Sequence, residues 1–378
     1  MVFLILFIDL SKKRNIFNNF SHPLEEKAEM NLPINEQIIN DSLSILPEKY
    51  KNQELKTIHA YKLLAYNSSK NDLKRKLFKF VSIKQKKDIN KVDCLILRSN
   101  LRFGNLIIAL NNAIFYCEIL ECKKIIIFEG YGVIKNVIKY NYQKNKTMKI
   151  ISGNNFYSNS ERGVCFNLNL SFFFFPKYVF PQIRTDSIKE EILRNLPHVN
   201  ISPDDNYIYI RSGDIFSAQI HKYYSQPPLC FYEKIINNFK YRNYYIISEN
   251  KNNPVIKGLL NKFSFVIYKR NSFKIDLSII CHAYNLVGGV SSFIISSIKF
   301  NDNLINFWQY NIYKIREMLY HLHQDIYNFK IKYNVYSMEP SFSYKNEMFI
   351  WRNKGFQKNL MLNNSCPFNF TLRKADID

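Results

Sequence analysis

Short apolar runs that alternate with helix-spaced segments constrain this chain more than any other feature. Cys94-Leu95-Ile96-Leu97 is one such run; Arg98 to Asn105 reads as a turn region, and Leu106 to Leu120 has helical spacing. Lys124 to Phe128 is a second apolar run. A strand, a turn, a helix and a strand in that order form the βαβ unit, which requires parallel strands. The pattern returns at Tyr207 to Ile210, followed by a loop with Gly213, a helix-like stretch from Leu229 to Phe239 and a strand at Tyr244 to Ile247. It continues as a helix around Pro254 to Phe263, a strand at Phe265 to Tyr268, a helix at Asp276 to Ala283, a strand at Asn285 to Val287 and a helix from Ser291.

The expected fold class is therefore α/β, with two Rossmann-like lobes and a cleft between them. The division falls between residues 185 and 205, where Pro197 and Pro203 punctuate the chain. Residues 1–90 are expected to form a partly helical amino-terminal extension and residues 91–200 the first α/β lobe. Residues 201–315 form the second lobe and residues 316–378 a helical or irregular tail. With 47% hydrophobic and 22% charged residues, the chain can bury a sizeable core, which excludes a disordered or fibrous protein.

The formal net charge is +22. Its lysines are scattered, so the excess reads as a solvated surface rather than a nucleic-acid footprint. In the basic run Lys74, Arg75, Lys76, Lys79, Lys84, Lys86 and Lys87, the interleaved Leu77, Phe78, Phe80 and Val81 look like packing positions. The seven cysteines contain no CxxC pair, and His321 with His323 is the only close histidine pair. No metal site is expected from these spacings. The opening apolar run from Val2 to Ile8 is interrupted by Asp9 and falls short of the ~20 residues a membrane-spanning helix needs. It also lacks the basic n-region and small-residue cleavage site of a signal peptide. Phe172 to Phe175, ended by Pro176, suits a buried strand.

Three turns lie where strands run into helices, the place where open α/β sheets bind ligands. The first is Arg102-Phe103-Gly104-Asn105, where Gly104 lets the backbone approach a ligand beside freed helix-start amides. The second is Arg211-Ser212-Gly213-Asp214: a guanidinium at a strand end can clamp a diphosphate with two parallel hydrogen bonds, and Asp214 can hold it in place. The third is Gly288-Gly289-Val290-Ser291-Ser292-Phe293, whose glycines clear the backbone and whose serines open a helix. Between them, Gln226-Pro227-Pro228 sets a rigid helix entry. Ser248-Glu249-Asn250 follows a strand end where a polar side chain can meet a base or ribose.

Taken in order, RFGN, IRSGD, Ser-Glu-Asn and Asp276 leading into GGVSSF resemble the fucosyltransferase superfamily, the α1,2-, α1,6- and protein O-fucosyltransferases. The resemblance covers Asp93 to Phe300 and departs from the family pattern at Tyr209, where a histidine is usual, at Ser212 and Gly213, and at Leu106 in place of glutamine. It implies the GT-B fold and an inverting, metal-independent transfer of a sugar, fucose by analogy, from a GDP-sugar to a glycan or protein acceptor. Arg211 would bind the β-phosphate; for the acceptor-activating base, a carboxylate in the cleft, Asp214 is one candidate. Ser291, Ser292, Phe293, Gly289 and Glu249 would line the donor site, and Arg102, Gly104 and Asn105 would face the cleft from the acceptor side. Glu129 is a second candidate base, and Asp376-Ile377-Asp378 reads as a chance DxD. No cofactor or metal is expected beyond the donor substrate. The resemblance implies an ER or Golgi lumen setting. The competing readings are a catalytically silent sugar- or nucleotide-binding module of the same fold and a basic nucleic-acid-binding protein.

Overall fold

The computed structural model describes residues 92–97, 102–127, 132–143, 146–152, 165–168, 186–216, 221–222, 226–310, 333–348, 350–367 and 369–374. The expected amino-terminal extension with its basic run, and Glu129, Phe172 to Phe175, His321, His323 and the final DxD, lie outside the described residues.

The first sheet begins as the apolar pattern requires. Strand β1 (Cys94–Leu97), helix α1 (Phe103–Leu120) and strand β2 (Lys124–Ile127) make a βαβ unit in which Cys94 lies opposite Lys124 and Leu97 opposite Ile127. Every residue of β2 is buried, as expected where both faces of a parallel sheet are covered. Strands β3 (Ile138–Gln143) and β4 (Lys146–Ser152) form an antiparallel hairpin whose second strand lies parallel to β2. Strand β5 (Cys165–Leu168) flanks β1, giving the order β3-β4-β2-β1-β5. Helix α2 (Asp186–Arg194) adds Ile188 and Ile192 to this core.

The buried Glu191 of α2 accepts from the backbone N–H of Lys135 (3.0 Å) and Asn136 (2.8 Å) and from the side-chain amide of Asn195 (2.8 Å). Burial alone would raise this carboxyl. The N–H donors of Asn136 and Lys135, with the amides of Asn136 and Asn195, outweigh it and hold the group below its ordinary range.

The second sheet starts with β6 (Asp205–Tyr209); a 3-10 turn (Gly213–Phe216) and the short β7 (His221–Lys222), which pairs apart from this sheet in a two-stranded ribbon, come next. Helix α3 (Leu229–Asn238), β8 (Asn243–Ile247), α4 (Pro254–Lys262), β9 (Val266–Lys269), α5 (Phe273–His282), β10 (Asn285–Gly288), α6 (Ser292–Ser297) and β11 (Asn306–Tyr310) follow. The chain then adds β12 (Asn334–Met338), α7 (Phe342–Met348), β13 (Ile350–Trp351), α8 (Gly355–Asn363) and β14 (Thr371–Arg373). The sheet order is β14-β12-β11-β10-β6-β8-β9, parallel except for β14. The chain winds outward from β6 through β8 to β9, crosses back to β10 beside β6, and winds outward the other way. This is the Rossmann-like 3-2-1-4-5-6 winding, with its switch point between β6 and β10.

Local chemistry supports these elements. The side chain of Asn253 caps α4 by accepting from Val255 N–H at 3.0 Å, with Pro254 in the first turn. Strands β10, β11 and β12 each begin with an asparagine, and these lie opposite one another. Asn306 donates to Asn285 (2.8 Å) and Asn334 to Asn306 (3.1 Å), a ladder that pins the register. Trp308 stacks on its cross-strand neighbour Tyr336 at 5.1 Å.

Two findings differ from the sequence reading. Helix α5 serves both sheets: Leu277 and Cys281 pack in the first core, while Ile279, Ile280 and the C-cap Ala283 pack in a core of the second. The segment from residue 334 onward, expected as a tail apart from a second lobe ending at 315, supplies two strands to the second sheet. It is anchored by Trp351 Nε1 donating to the Ile215 carbonyl (2.6 Å), Tyr344 Oη to that of Gln226 (2.6 Å), and a Cys230–Cys366 disulfide. Its strands are short and carry Asn, Ser and Thr, so their apolar pattern is weak; the neighbouring strand supplies the missing signal. Closing a loop of 136 residues, the disulfide should contribute about 2–5 kcal/mol. Cys230→Ser should lower the denaturant midpoint accordingly; an unchanged midpoint would mean that the tail docks by packing alone.

Candidate functional site at the strand ends

The site is built at the carboxyl ends of β6, β8 and β10, around the switch point. Beyond β6, the Ile210 N–H still donates to the Ile247 carbonyl (3.0 Å), so Arg211 leaves the sheet in a fixed direction. Its side chain is 9% exposed. One terminal nitrogen donates to Glu249 Oε1 and the other to Asp214 Oδ1 (2.6 Å). Glu249 Oε2 accepts from the Ser212 backbone N–H at 3.0 Å. Arg211 Nε is buried and meets no acceptor among the described residues.

The loop is held from behind by asparagines. Ser212 Oγ donates to Asn250 Oδ1 (2.6 Å) and accepts from Asn253 N–H (3.0 Å), while Asn253 Nδ2 donates to the Arg211 carbonyl (2.9 Å). Gly213 adopts φ +66°, a conformation that L side chains rarely take. Gly289 passes close to the β6 exit: a Cβ there would stand 3.2 Å from the Tyr209 carbonyl oxygen.

The first sheet meets this site through the start of α1. Arg102 donates to the same Asp214 Oδ1 at 2.6 Å, so one carboxylate oxygen joins two guanidinium groups. Ser292 Oγ donates to Asn105 Oδ1 (2.7 Å) and Ser296 Oγ to the Gly104 carbonyl (3.1 Å). Phe103, Phe273 and Phe293 form a triangle of rings with centroids 5.4 to 6.1 Å apart. Lys274 Nζ also reaches across to the Gly132 carbonyl (2.9 Å).

Two further groups, Tyr209 and Asp276, face the cluster. The buried Tyr209 hydroxyl is pushed well up by burial and by Glu249, against a hydrogen bond with Ser291. Burial also raises Glu249, opposed by the Ser212 N–H and reinforced by Asp214. Asp276 is buried in α5, accepts from Asn271 Nδ2 at 2.9 Å, and is pushed up to about 7 by burial and the nearby Glu249.

The residues singled out from the sequence thus fall into two adjoining groups. Arg102, Arg211, Asp214 and Glu249 share one ion-pair network. Gly104, Asn105, Ser292 and Phe293 form the seam beside it, Ser291 caps α6 by accepting from Phe293 N–H (3.2 Å), and Gly289 lines the β6 exit. Both serine hydroxyls are therefore occupied by protein partners. Sequence reading did not assign Asn253, Asn271 or a charge role for Asp276. The Asn-Pro pair that opens α4 was a legible capping signal for Asn253, whereas the position of Asp276 depends on where α5 docks. Among the described residues, no group of three or more His, Cys, Asp or Glu is placed to hold a metal ion, and no helix is long and apolar enough to cross a membrane.

Two measurements probe this geometry. A Cβ at position 104 would stand 2.4 Å from the carbonyl carbon and oxygen of Ser292, so Gly104→Ala must push α1 off α6. Overpacking of this kind costs about 1–3 kcal/mol, to be read as a lower melting temperature. Second, the folded state keeps the Asp276 proton up to about 7 against an ordinary 3.8, so it favours the protonated form. That stabilisation is complete below the ordinary value and is lost as pH rises through the folded one. The melting temperature should fall over that window in the native chain, and Asp276→Asn should remove that component.

No protein-family model, curated protein or solved structure matches this chain.

Proposed function

We propose that the chain is a glycosyltransferase of the two-lobed GT-B kind, using a GDP-sugar as donor and a glycan or protein as acceptor, with fucose the sugar that the family resemblance implies. The observation that carries this reading is the buried Arg211 at the carboxyl end of β6, beside the switch point and sharing Asp214 with Arg102 at the start of α1. In an open α/β sheet this is the ligand crevice.

The chemistry follows from charge. Sugar transfer passes through an oxocarbenium-like centre while negative charge grows on the departing diphosphate. Fixed cations placed where that charge develops lower the barrier, because they need no reorganisation at the moment of reaction. Arg211 would meet the β-phosphate, and Arg102 would approach from the opposite side of the crevice. Asp214 would keep the two guanidinium groups in line, since its Oδ1 contacts both. The transfer is proposed to be inverting and metal-independent, with the guanidinium pair supplying the positive charge. The Cys230–Cys366 disulfide, together with a disulfide-bonded Cys94, supports maturation in an oxidising compartment such as the ER or Golgi lumen.

One observation favours the silent-module reading: the terminal nitrogens of Arg211 already hold carboxylates. Turnover separates the two. A panel of nucleotide-sugars screened by thermal shift should single out GDP-sugars, a ligand at ~100 times its dissociation constant adding about 2.7 kcal/mol. Arg211→Ala should cut transfer by about 10²–10³-fold, on the scale of one lost oxyanion donor. Undiminished turnover in that variant removes the assignment, and GDP-sugar binding without any turnover in the native chain selects the silent module.

A further inference from the structure

We propose that Glu249 is a built-in competitor for the anion site, a carboxylate that occupies the diphosphate donors and must swing out before the donor substrate can enter. This deepens the functional reading above and rests on it.

The two oxygens of Glu249 lie on two different donors, a terminal nitrogen of Arg211 and the backbone N–H of Ser212. A guanidinium N–H and a backbone N–H held side by side are the pair that two oxygens of one phosphate group would take. A carboxylate has no third oxygen, and a third donor is left over: Arg211 Nε, buried and without an acceptor among the described residues. A buried N–H left unmade is costly, and a phosphate has the additional oxygen to meet it.

The two partners are also unequal in freedom. The Arg211 side chain is 9% exposed and that of Glu249 is 38% exposed, so the carboxylate can leave for water while the guanidinium stays. The Glu249 stem lies against Gly213, where a Cβ would stand 3.7 Å from that of Glu249, and the glycine leaves the side chain room to rotate. Charge favours the exchange as well. Asp214 and Asp276 both repel Glu249, while Arg102 and Arg211 are the cations facing it. Swinging out moves one negative charge from this crowd into solvent, and the diphosphate takes its place. If Glu249 served only to hold Arg211 in position, its removal would weaken anion binding; as a competitor, its removal strengthens it.

The sign is read by titrating GDP and inorganic pyrophosphate into the native chain, Glu249→Gln and Glu249→Ala by isothermal calorimetry. Both variants should bind both ligands about tenfold more tightly, the scale of one charge-assisted contact no longer displaced. Equal or weaker binding by folded variants overturns the proposal while leaving the donor-site reading intact. Tighter pyrophosphate binding with no preference for GDP keeps the competitor role and overturns the nucleotide reading. Absence of binding to all three proteins overturns both. A crystal structure of the native chain with pyrophosphate gives a test independent of the variants: Glu249 should have left Arg211, and finding it still in place would overturn the proposal.

Discussion

A guanidinium buried at the end of a central strand must find acceptors, and most of the candidate site follows from that obligation. Arg211 is met by Glu249 from the β8 exit and by Asp214 from its own loop, and Asp214 in turn draws in Arg102 from the start of α1. The loop that presents these groups needs its own support, which Asn250 and Asn253 supply through Ser212 and the Arg211 carbonyl. Arg211 is the buried member of this network, while Asp214 and Glu249 are partly exposed, so the guanidinium is the fixed charge around which the carboxylates arrange. Seven residues from three loops are therefore joined in one network.

The meeting of the two sheets has a second basis in packing. Helix α5 is buried from Asp276 to Cys281 because both cores use it, and α1 lies on α6 closely enough that position 104 has room only for hydrogen. The ring triangle of Phe103, Phe273 and Phe293 fills the space next to that contact. Polar and apolar contacts thus point the same way, which places Arg102 within reach of Asp214 without relying on the exposed ion pair for stability.

Much of the fold was legible from residues alone. The expected elements from Cys94 to Leu120 and from Tyr207 to Ser291 match the observed ones within a few residues, because short apolar strands and helix-spaced runs carry strong periodic signals. The β3–β4 hairpin and strands β12 and β14 were not legible. Lys146, Lys149, Asn334 and Ser337 dilute their apolar pattern, and these strands exist because a neighbour offers them a hydrogen-bonding edge. At the site, the glycine and arginine motifs stood out, whereas Asn253, Asn271 and Asp276 look like ordinary polar positions until the loops are assembled.

The amino-acid sequence by itself determined the α/β class, the positions of the strand-to-helix turns, and the residue types offered there: Arg102, Arg211, Gly213 and Gly289. These are local properties, set by periodicity, by backbone permissiveness and by which side chains follow a strand. Only the tertiary structure decided which strands are neighbours, that the switch point falls between β6 and β10, and that Glu249 and Asp214 converge on one guanidinium. Those outcomes depend on pairings between residues distant in the chain, whose energies come from burial and charge that arise only once the sheets are packed.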